Sequence, residues 1–169
     1  MGLHDLTTMK ELSSNLKSIN PYSTVYGEPW MGGSSPLSSS ASAKQDNASS
    51  YEGYGAFNDK FRDALIRGGL SDKKERGWIN NNTKVDQGDV NKILSGLNGE
   101  LFINAANKIS DPNKNVIYVT CHDNYTLADR MEASEVTSKE EIKKMAMLAN
   151  SMVFSSKGTT FMLAGEEFL

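Results

Sequence analysis

The sequence VIYVTCHDN, residues 116–124, decides the fold, because an unbroken apolar run ends there abruptly on polar side chains. Continuous runs of Val, Ile and Tyr are typical of parallel strands that are buried on both faces. A second run, TVYGEPW at residues 24–30, has the same form and delivers Glu28 where the first delivers Asp123. Polar residues at such strand ends usually form the active site of a β/α protein. The two runs therefore predict a pair of carboxylates aimed at one pocket, the usual equipment for cleaving glycosidic bonds.

Composition and charge are those of one ordinary domain. The chain has 169 residues, of which 38% are hydrophobic, enough for a core. There are 18 basic and 21 acidic residues and no basic stripe, so the sequence predicts no nucleic-acid partner. No apolar run approaches the roughly 18 residues that a membrane helix needs, and we expect no membrane partner. The single cysteine, Cys121, excludes an internal disulfide and leaves the cellular compartment open.

Helical and extended patterns alternate along the chain. Apolar residues at helical spacing predict helices, and short β-branched or aromatic runs predict strands. The helices are predicted over residues 3–16, 58–68, 89–97, 101–108 and 139–155, and the strands over residues 24–28, 54–57, 116–120 and 159–164. This α/β alternation predicts a parallel sheet of four strands, either doubly wound or closed as a barrel.

Two segments between these elements predict irregular structure. Residues 31–50 are rich in Ser, Gly and Ala and have too few apolar groups to pack a core, which is typical of a functional or partly disordered loop. Residues 70–83 are polar and lack periodicity. The second predicted helix ends with Arg67 and Gly68, a basic last turn followed by a glycine C-cap.

Glu28 and the run His122-Asp123-Asn124 are the candidate site residues, and each has a structural alternative. Glu28 could be a surface glutamate before a proline turn, but Trp30 would supply an apolar wall that raises the pKa of a general acid, and a ring face suited to sugars. Residues 122–124 could form a turn in which Asn124 caps the next helix. They could equally bind several sugar hydroxyls at once, so both alternatives stay open.

The other polar motifs point away from catalysis. Glu166 and Glu167, after the last predicted strand, favour a structural or rim role, and Arg62 and Asp63 a solvated or sheet-anchoring pair. The sequence has neither the order of a phosphate-binding loop nor a Gly-x-Ser-x-Gly nucleophile elbow. Its two histidines and one cysteine are too widely spaced for a credible zinc site, so we predict no metal site.

Four stretches of the chain resemble type I pullulanases, which are debranching members of the α-amylase superfamily of glycoside hydrolases. They are YGEPW at 26–30, FNDKFRD at 57–63, YVTCHDN at 118–124 and MLAGEEF at 162–168. Together they span nearly the whole chain in the right order, which makes the resemblance more specific than any one motif. It implies that residues 1–169 are a fragment of a single catalytic (β/α)8 domain, roughly the second half of a TIM barrel.

The resemblance also implies retaining hydrolysis of α-1,6 branch linkages in α-glucans such as pullulan, glycogen and limit dextrins. By position, Glu28 matches the general acid/base and Asp123 the carboxylate that stabilises the transition state. His122 matches the histidine beside it on the sugar hydroxyls. Residues 1–5, MGLHD, resemble the continuation of the nucleophile motif, which would place the nucleophilic aspartate before Met1. We therefore expect the chain by itself to be inactive and to need the missing remainder of its barrel.

Two alternatives to debranching stay open. One is an α-amylase-type enzyme that acts on α-1,4 bonds. The other is a non-catalytic α-glucan-binding segment that uses Trp30, Tyr54 and Tyr125 as stacking platforms. The Ser-rich loop after Trp30 and the pair Thr120-Cys121 depart from the family pattern, which leaves the chain-length preference open. We expect no cofactor in this segment, and calcium elsewhere in a full-length enzyme stays open.

Overall fold

A parallel sheet of four strands forms the centre of the computed structural model, which describes residues 1–69, 74–80, 84 and 86–168. The strands are β1 (Val25–Gly27), β2 (Tyr54–Phe57), β5 (Asn115–Ile117) and β6 (Thr159–Thr160), in the spatial order β1-β2-β5-β6. The sheet curls into half of a barrel and is flanked by helices, which confirms the predicted partial TIM barrel. Each strand adds to the sheet in sequence order, as right-handed β/α units do.

The two faces of the sheet have different neighbours. Side chains of successive strand residues point to opposite faces. Ile117 and Val119 belong to a buried core with residues of the helices, among them Phe61 and Ile142. Val116 and Tyr118 pack instead with Phe57, which lies beside Val116 in the β2–β5 register. The helices therefore cover one face, and the other face is lined with aromatic rings.

Among the described residues, five α-helices flank the sheet, and each begins at a polar capping residue. They are α1 (Leu6–Ile19), α2 (Asp59–Ile66), α3 (Gln87–Leu97), α4 (Leu127–Ala133) and α5 (Lys139–Ser155), capped by Asp5, Asn58, Asp86, Thr126 and Ser138. Each cap accepts a hydrogen bond from a backbone N–H in the first turn, which satisfies a donor that the helix itself leaves unpaired. The predicted helices over 89–97 and 139–155 and the cap at Asn58 are thereby confirmed.

The predicted helix over residues 101–108 is wrong. This segment is an antiparallel hairpin of β3 (Leu101–Asn104) and β4 (Asn107–Ile109). Asn104 Oδ1 accepts a hydrogen bond from the backbone N–H of Ala106, which closes a side-chain-assisted turn. Leu101 and Phe102 are buried, so tertiary packing and turn chemistry override the helical preference of the two alanines in the turn.

Several predicted boundaries also differ. The strand predicted over 116–120 ends at Ile117, and the one predicted over 159–164 pairs only at Thr159 and Thr160. The short helix α4 was not predicted. Arg67, with φ of 52°, rather than Gly68 takes the left-handed position that ends α2. Most of the irregular segment predicted at 70–83 lies outside the described residues.

The Ser/Gly-rich segment at residues 31–50 packs more closely than its composition predicts. Its second half contains a 3₁₀ helix, and Ala43 and Ala48 are completely buried against Tyr51 and Tyr54. The Tyr51 hydroxyl donates a hydrogen bond to the Ala43 carbonyl at 2.9 Å. The expectation that this segment could not join a core is therefore wrong, because small alanines fit beneath large tyrosine rings. In the part of the chain that is described, no helix has the length and apolar character that crossing a bilayer requires.

Candidate active site

The carboxyl ends of β1 and β5 bring three predicted site residues together. Glu28 directly follows β1, and His122 and Asp123 lie on the segment that leaves β5. His122 Nε2 lies 3.9 Å from Glu28 Oε1 and 3.6 Å from Asp123 Oδ1. Both carboxylates thus flank one imidazole, although β2 separates their strands in the sheet. This is the arrangement expected when parallel strands end at one edge.

The three side chains are open to solvent to different degrees. The Glu28 side chain is 36% exposed, whereas those of His122 and Asp123 are 72% and 56% exposed. Interactions between charges this exposed contribute little to folding stability. Their clustering is therefore poorly explained as a stabilising salt-bridge network, which favours a role in binding or catalysis.

Trp30 and Asn124 occupy the rim in different ways. The Trp30 ring is partly buried and packs against a group that includes Phe57, Tyr118 and Cys121. Asn124 is exposed and has a left-handed backbone with φ of 68°. The alternative that Asn124 caps the next helix is wrong, because Thr126 Oγ1 is the atom that accepts from the first turn of α4.

A layer of aromatic rings lies beneath this edge, and the sequence analysis did not identify it. Each of the four strands contributes one ring from its last residues or the residue after it: Tyr26, Phe57, Tyr118 and Phe161. Phe57 is the centre, with its ring centroid 5.7 Å from Tyr26, 4.8 Å from Tyr118 and 5.2 Å from Phe161. All three contacts are edge-to-face, a favourable geometry for aromatic pairs. The signal was an aromatic residue in or directly after each of the four parallel strands, near its carboxyl end.

Arg62 anchors this layer to α2. Its Nη1 donates a hydrogen bond to the Tyr118 hydroxyl at 2.8 Å, and two of its other nitrogens bind the Asp63 carboxylate. Burial disfavours the charge of Arg62, but the hydrogen bonds to Asp63 and the charge interactions with Tyr118, Asp63 and Asp59 together outweigh it and raise the pKa of Arg62. Burial likewise raises the pKa of Tyr118. Of the two roles predicted for Arg62 and Asp63, sheet anchoring is confirmed.

Among the described residues, Cys121, His122 and Asp123 form a cluster of metal-type donors that includes two of the site residues. One donor atom from each lies within 4.8 Å of the others, with Cys121 buried and the other two exposed. The sequence analysis rejected a zinc site because the two histidines and the cysteine are widely spaced, and it overlooked that Cys121, His122 and Asp123 are consecutive. Adjacent exposed donors of this kind are common without an ion, so the cluster by itself assigns no metal.

The chain matches pullulanases over nearly all of its length. The pullulanase of Bacillus subtilis strain 168 is 28% identical over 170 residues, which are 99% of this chain and 23% of that protein. A crystal structure of the Paenibacillus barengoltzii pullulanase, in complex with maltohexaose and α-cyclodextrin, has a TM-score of 0.86 at 34% identity and covers 99% of this chain. The Bacillus acidopullulyticus pullulanase has a TM-score of 0.82 at 36% identity.

These comparisons relate the chain to one segment of larger proteins. It spans 23% of the B. subtilis protein, 26% of the P. barengoltzii chain and 19% of the B. acidopullulyticus chain. No protein-family model matches it. The resemblance inferred from the four sequence stretches is confirmed, and the chain corresponds to between 19% and 26% of the length of these three pullulanases.

Proposed function

We propose that the chain forms part of the catalytic barrel of a pullulanase-type glycoside hydrolase, which hydrolyses α-1,6 branch linkages in α-glucans with retention of configuration. The observation that carries the proposal is the convergence of Glu28, His122 and Asp123 at one sheet edge, with His122 Nε2 within 4 Å of both carboxylates. The match to pullulanases over 99% of the chain supports the same reaction class.

In this proposal Glu28 is the general acid and base. It protonates the leaving glycosidic oxygen in the first step and removes a proton from the attacking water in the second. Its position suits both steps, because the side chain is about one-third exposed and reaches out from the rigid end of β1. A substrate oxygen and a water molecule therefore both have access to its carboxyl group.

Asp123 and His122 hold the sugar in this proposal. A carboxylate and an imidazole whose nearest atoms are 3.6 Å apart match neighbouring hydroxyls on one ring, and Asp123 also opposes the positive charge that develops at the anomeric carbon. Asn124 extends this polar row, and Trp30 supplies an aromatic edge beside it. The reaction uses only carboxylates and water, so the proposal requires no cofactor.

A covalent route also needs a nucleophilic carboxylate about 5–5.5 Å from the acid. The resemblance assigns this nucleophile to a position before Met1, so we propose that residues 1–169 act only together with the remaining strands of a barrel. An acid without its nucleophile leaves no covalent intermediate, and half of a barrel forms only half of the sugar pocket.

The test is Glu28→Gln in the native gene product, assayed by release of reducing ends from pullulan. Loss of general acid catalysis should lower kcat by about 10²- to 10⁴-fold, because the amide keeps the size of the side chain but is not acidic enough to protonate the leaving oxygen. Glu11→Gln, on the exposed side of α1, is the matched control and should leave kcat unchanged. Full turnover in the Glu28→Gln variant would refute the assignment.

The same assay separates the alternatives. Cleavage of linear dextrins in place of pullulan would indicate an enzyme for α-1,4 bonds. A non-catalytic binding segment would give no turnover in the unmodified protein. The stacking surface proposed for such a segment is weakened by the structure, because Tyr54 is only 1% exposed and presents no ring face to a ligand.

A further inference from the structure

Glu166, in the turn after β6, is an unexplained buried acid. It is 7% exposed, and neither carboxyl oxygen has a hydrogen-bond partner of normal geometry among the described residues. The Thr120 hydroxyl is likewise buried without a hydrogen-bond partner among the described residues, and the residue is 4% exposed. A buried polar group without a partner costs free energy, so two of them side by side call for a physical reason.

The two groups are neighbours across adjacent strands. Burial raises the pKa of Glu166, and the Thr120 hydroxyl is the strongest of the influences that oppose it. β5 and β6 lie next to each other in the sheet, so Thr120 and Glu166 sit on the segments that leave its last two strands. A hydrogen bond between the two side chains would give each of these buried groups a partner.

Thr120 lies on the segment that carries the candidate site. Two residues separate its position from that of Asp123, and His122 lies between them. Regular strand pairing ends at Ile117, so sheet hydrogen bonds do not fix this segment beyond that point. A cavity of about 210 Å³ borders Glu166 and the start of α4.

We propose that Glu166 is a positioning residue, which holds the segment presenting His122 and Asp123 by bonding its carboxyl group to the Thr120 hydroxyl. This inference rests on the proposed function, because it concerns the geometry of the same site. Glu166 touches neither substrate nor reacting atoms in this role. It replaces the strand hydrogen bonds that are missing after Ile117 with one side-chain bond between neighbouring segments.

The surroundings favour a neutral carboxyl group at this position. Burial and the charge of Glu167 raise the pKa of Glu166, whereas the Thr120 hydroxyl and a backbone contact with Leu163 oppose them. Lys143 of α5 lines the same surface groove as Glu166. A neutral carboxyl both donates and accepts hydrogen bonds, so a glutamine should replace it better than any apolar side chain.

The test compares Glu166→Gln, Glu166→Leu and Thr120→Val in the native gene product. We expect Glu166→Leu and Thr120→Val each to lower kcat on pullulan at least tenfold with a smaller change in KM, and Glu166→Gln to keep most of the activity. The double variant, which combines Glu166→Leu with Thr120→Val, should be no worse than either single variant, because both substitutions remove the same bond. Glu167→Gln, at an exposed neighbour, is the matched control.

A second readout does not depend on the proposed reaction. Cys121 adjoins Thr120 and is buried, so its rate of thiol alkylation, followed by peptide mass spectrometry, reports the position of the segment. We expect Glu166→Leu and Thr120→Val to speed alkylation severalfold and Glu166→Gln to leave it unchanged. Unchanged alkylation, additive losses in the double variant, or a lower Tm with unchanged kcat would each overturn the proposal. An absence of pullulan hydrolysis in the unmodified protein would refute the proposed function and leave the alkylation test valid.

Discussion

Removing the charge of Asp89 should loosen the junction between α2 and α3 more than any other single charge change in the described helices. The Asp89 side chain is 2% exposed and accepts three hydrogen bonds from cations: two from Arg67, at 2.6 and 3.4 Å, and one from Lys92 at 2.9 Å. Arg67 is also the left-handed residue that ends α2. The carboxylate thus ties the end of one helix to the first turn of the next.

The size of the expected destabilisation by Asp89→Asn follows from the solvent exposure of Arg67 and Lys92. Breaking a fully buried ion pair by removing one partner costs about 3–5 kcal/mol. Arg67 and Lys92 are 25% and 28% exposed, so water recovers part of that loss in Asp89→Asn. We therefore expect a destabilisation of about 2 kcal/mol, which corresponds to a roughly 30-fold faster hydrogen exchange of the α3 amides.

The lowered pKa of Asp89 decides how the effect of Asp89→Asn on stability changes with pH. Burial acts to raise the pKa of Asp89, but the hydrogen bonds from Lys92 and Arg67 outweigh it and lower the pKa. The contribution of a carboxylate with a lowered pKa is complete above its ordinary value of about 4 and is lost as the pH falls through the lowered value. The difference between the native protein and Asp89→Asn should therefore be constant at neutral pH and shrink in acid.

Native-state hydrogen exchange of residues 87–97 is the measurement, at pH 7 and again well below pH 4, where the carboxylate of Asp89 becomes protonated. Glu140→Gln removes an exposed ion pair with Lys144, 3.7 Å long, and should change exchange in α5 by less than about 0.5 kcal/mol. Equal effects of the two substitutions, or an Asp89→Asn effect that grows in acid, would refute the reasoning.

Two further predictions concern packing. Gly96→Ala should lower the free energy of unfolding in urea by roughly 1–3 kcal/mol, because an added Cβ would overlap the Phe61 ring. Gly33→Ala is the control and should be neutral, because nothing lies within 4 Å of the added Cβ. Equal effects of the two substitutions would contradict the close approach of α2 and α3. Tyr51→Phe should cost about 1 kcal/mol through its lost hydrogen bond, but Tyr54→Phe should be neutral or stabilising, because the Tyr54 hydroxyl is buried without a partner among the described residues. A larger loss for Tyr54→Phe in the same unfolding experiment would show an additional contact to that hydroxyl.

The sequence could predict the parts of the fold that local chemistry controls. The β-branched run ending at Asp123 identifies a buried strand, and Ser138 identifies the start of α5, because both signals act within a few residues. The close approach of Glu28 and His122 could also be predicted, because the carboxyl ends of parallel strands lie at one edge of the sheet. The sequence could not predict the hairpin over Leu101–Asn104 and its partner strand, or the burial of Ala43, because those depend on distant residues that happen to leave a space of the right shape.

The position of β2 has a consequence for the kind of side chain that the site can use. Neighbouring strands lie about 4.8 Å apart, so β2 acts as a spacer that holds the backbones of β1 and β5 about 10 Å from each other. Short side chains at the two strand ends would not meet across that gap. The long glutamate side chain and the imidazole, which the segment leaving β5 carries, approach to 3.9 Å across this gap, and an aspartate in place of Glu28 would be one methylene shorter. The spacing of β1 and β5 therefore favours a long side chain at position 28, independently of any catalytic requirement.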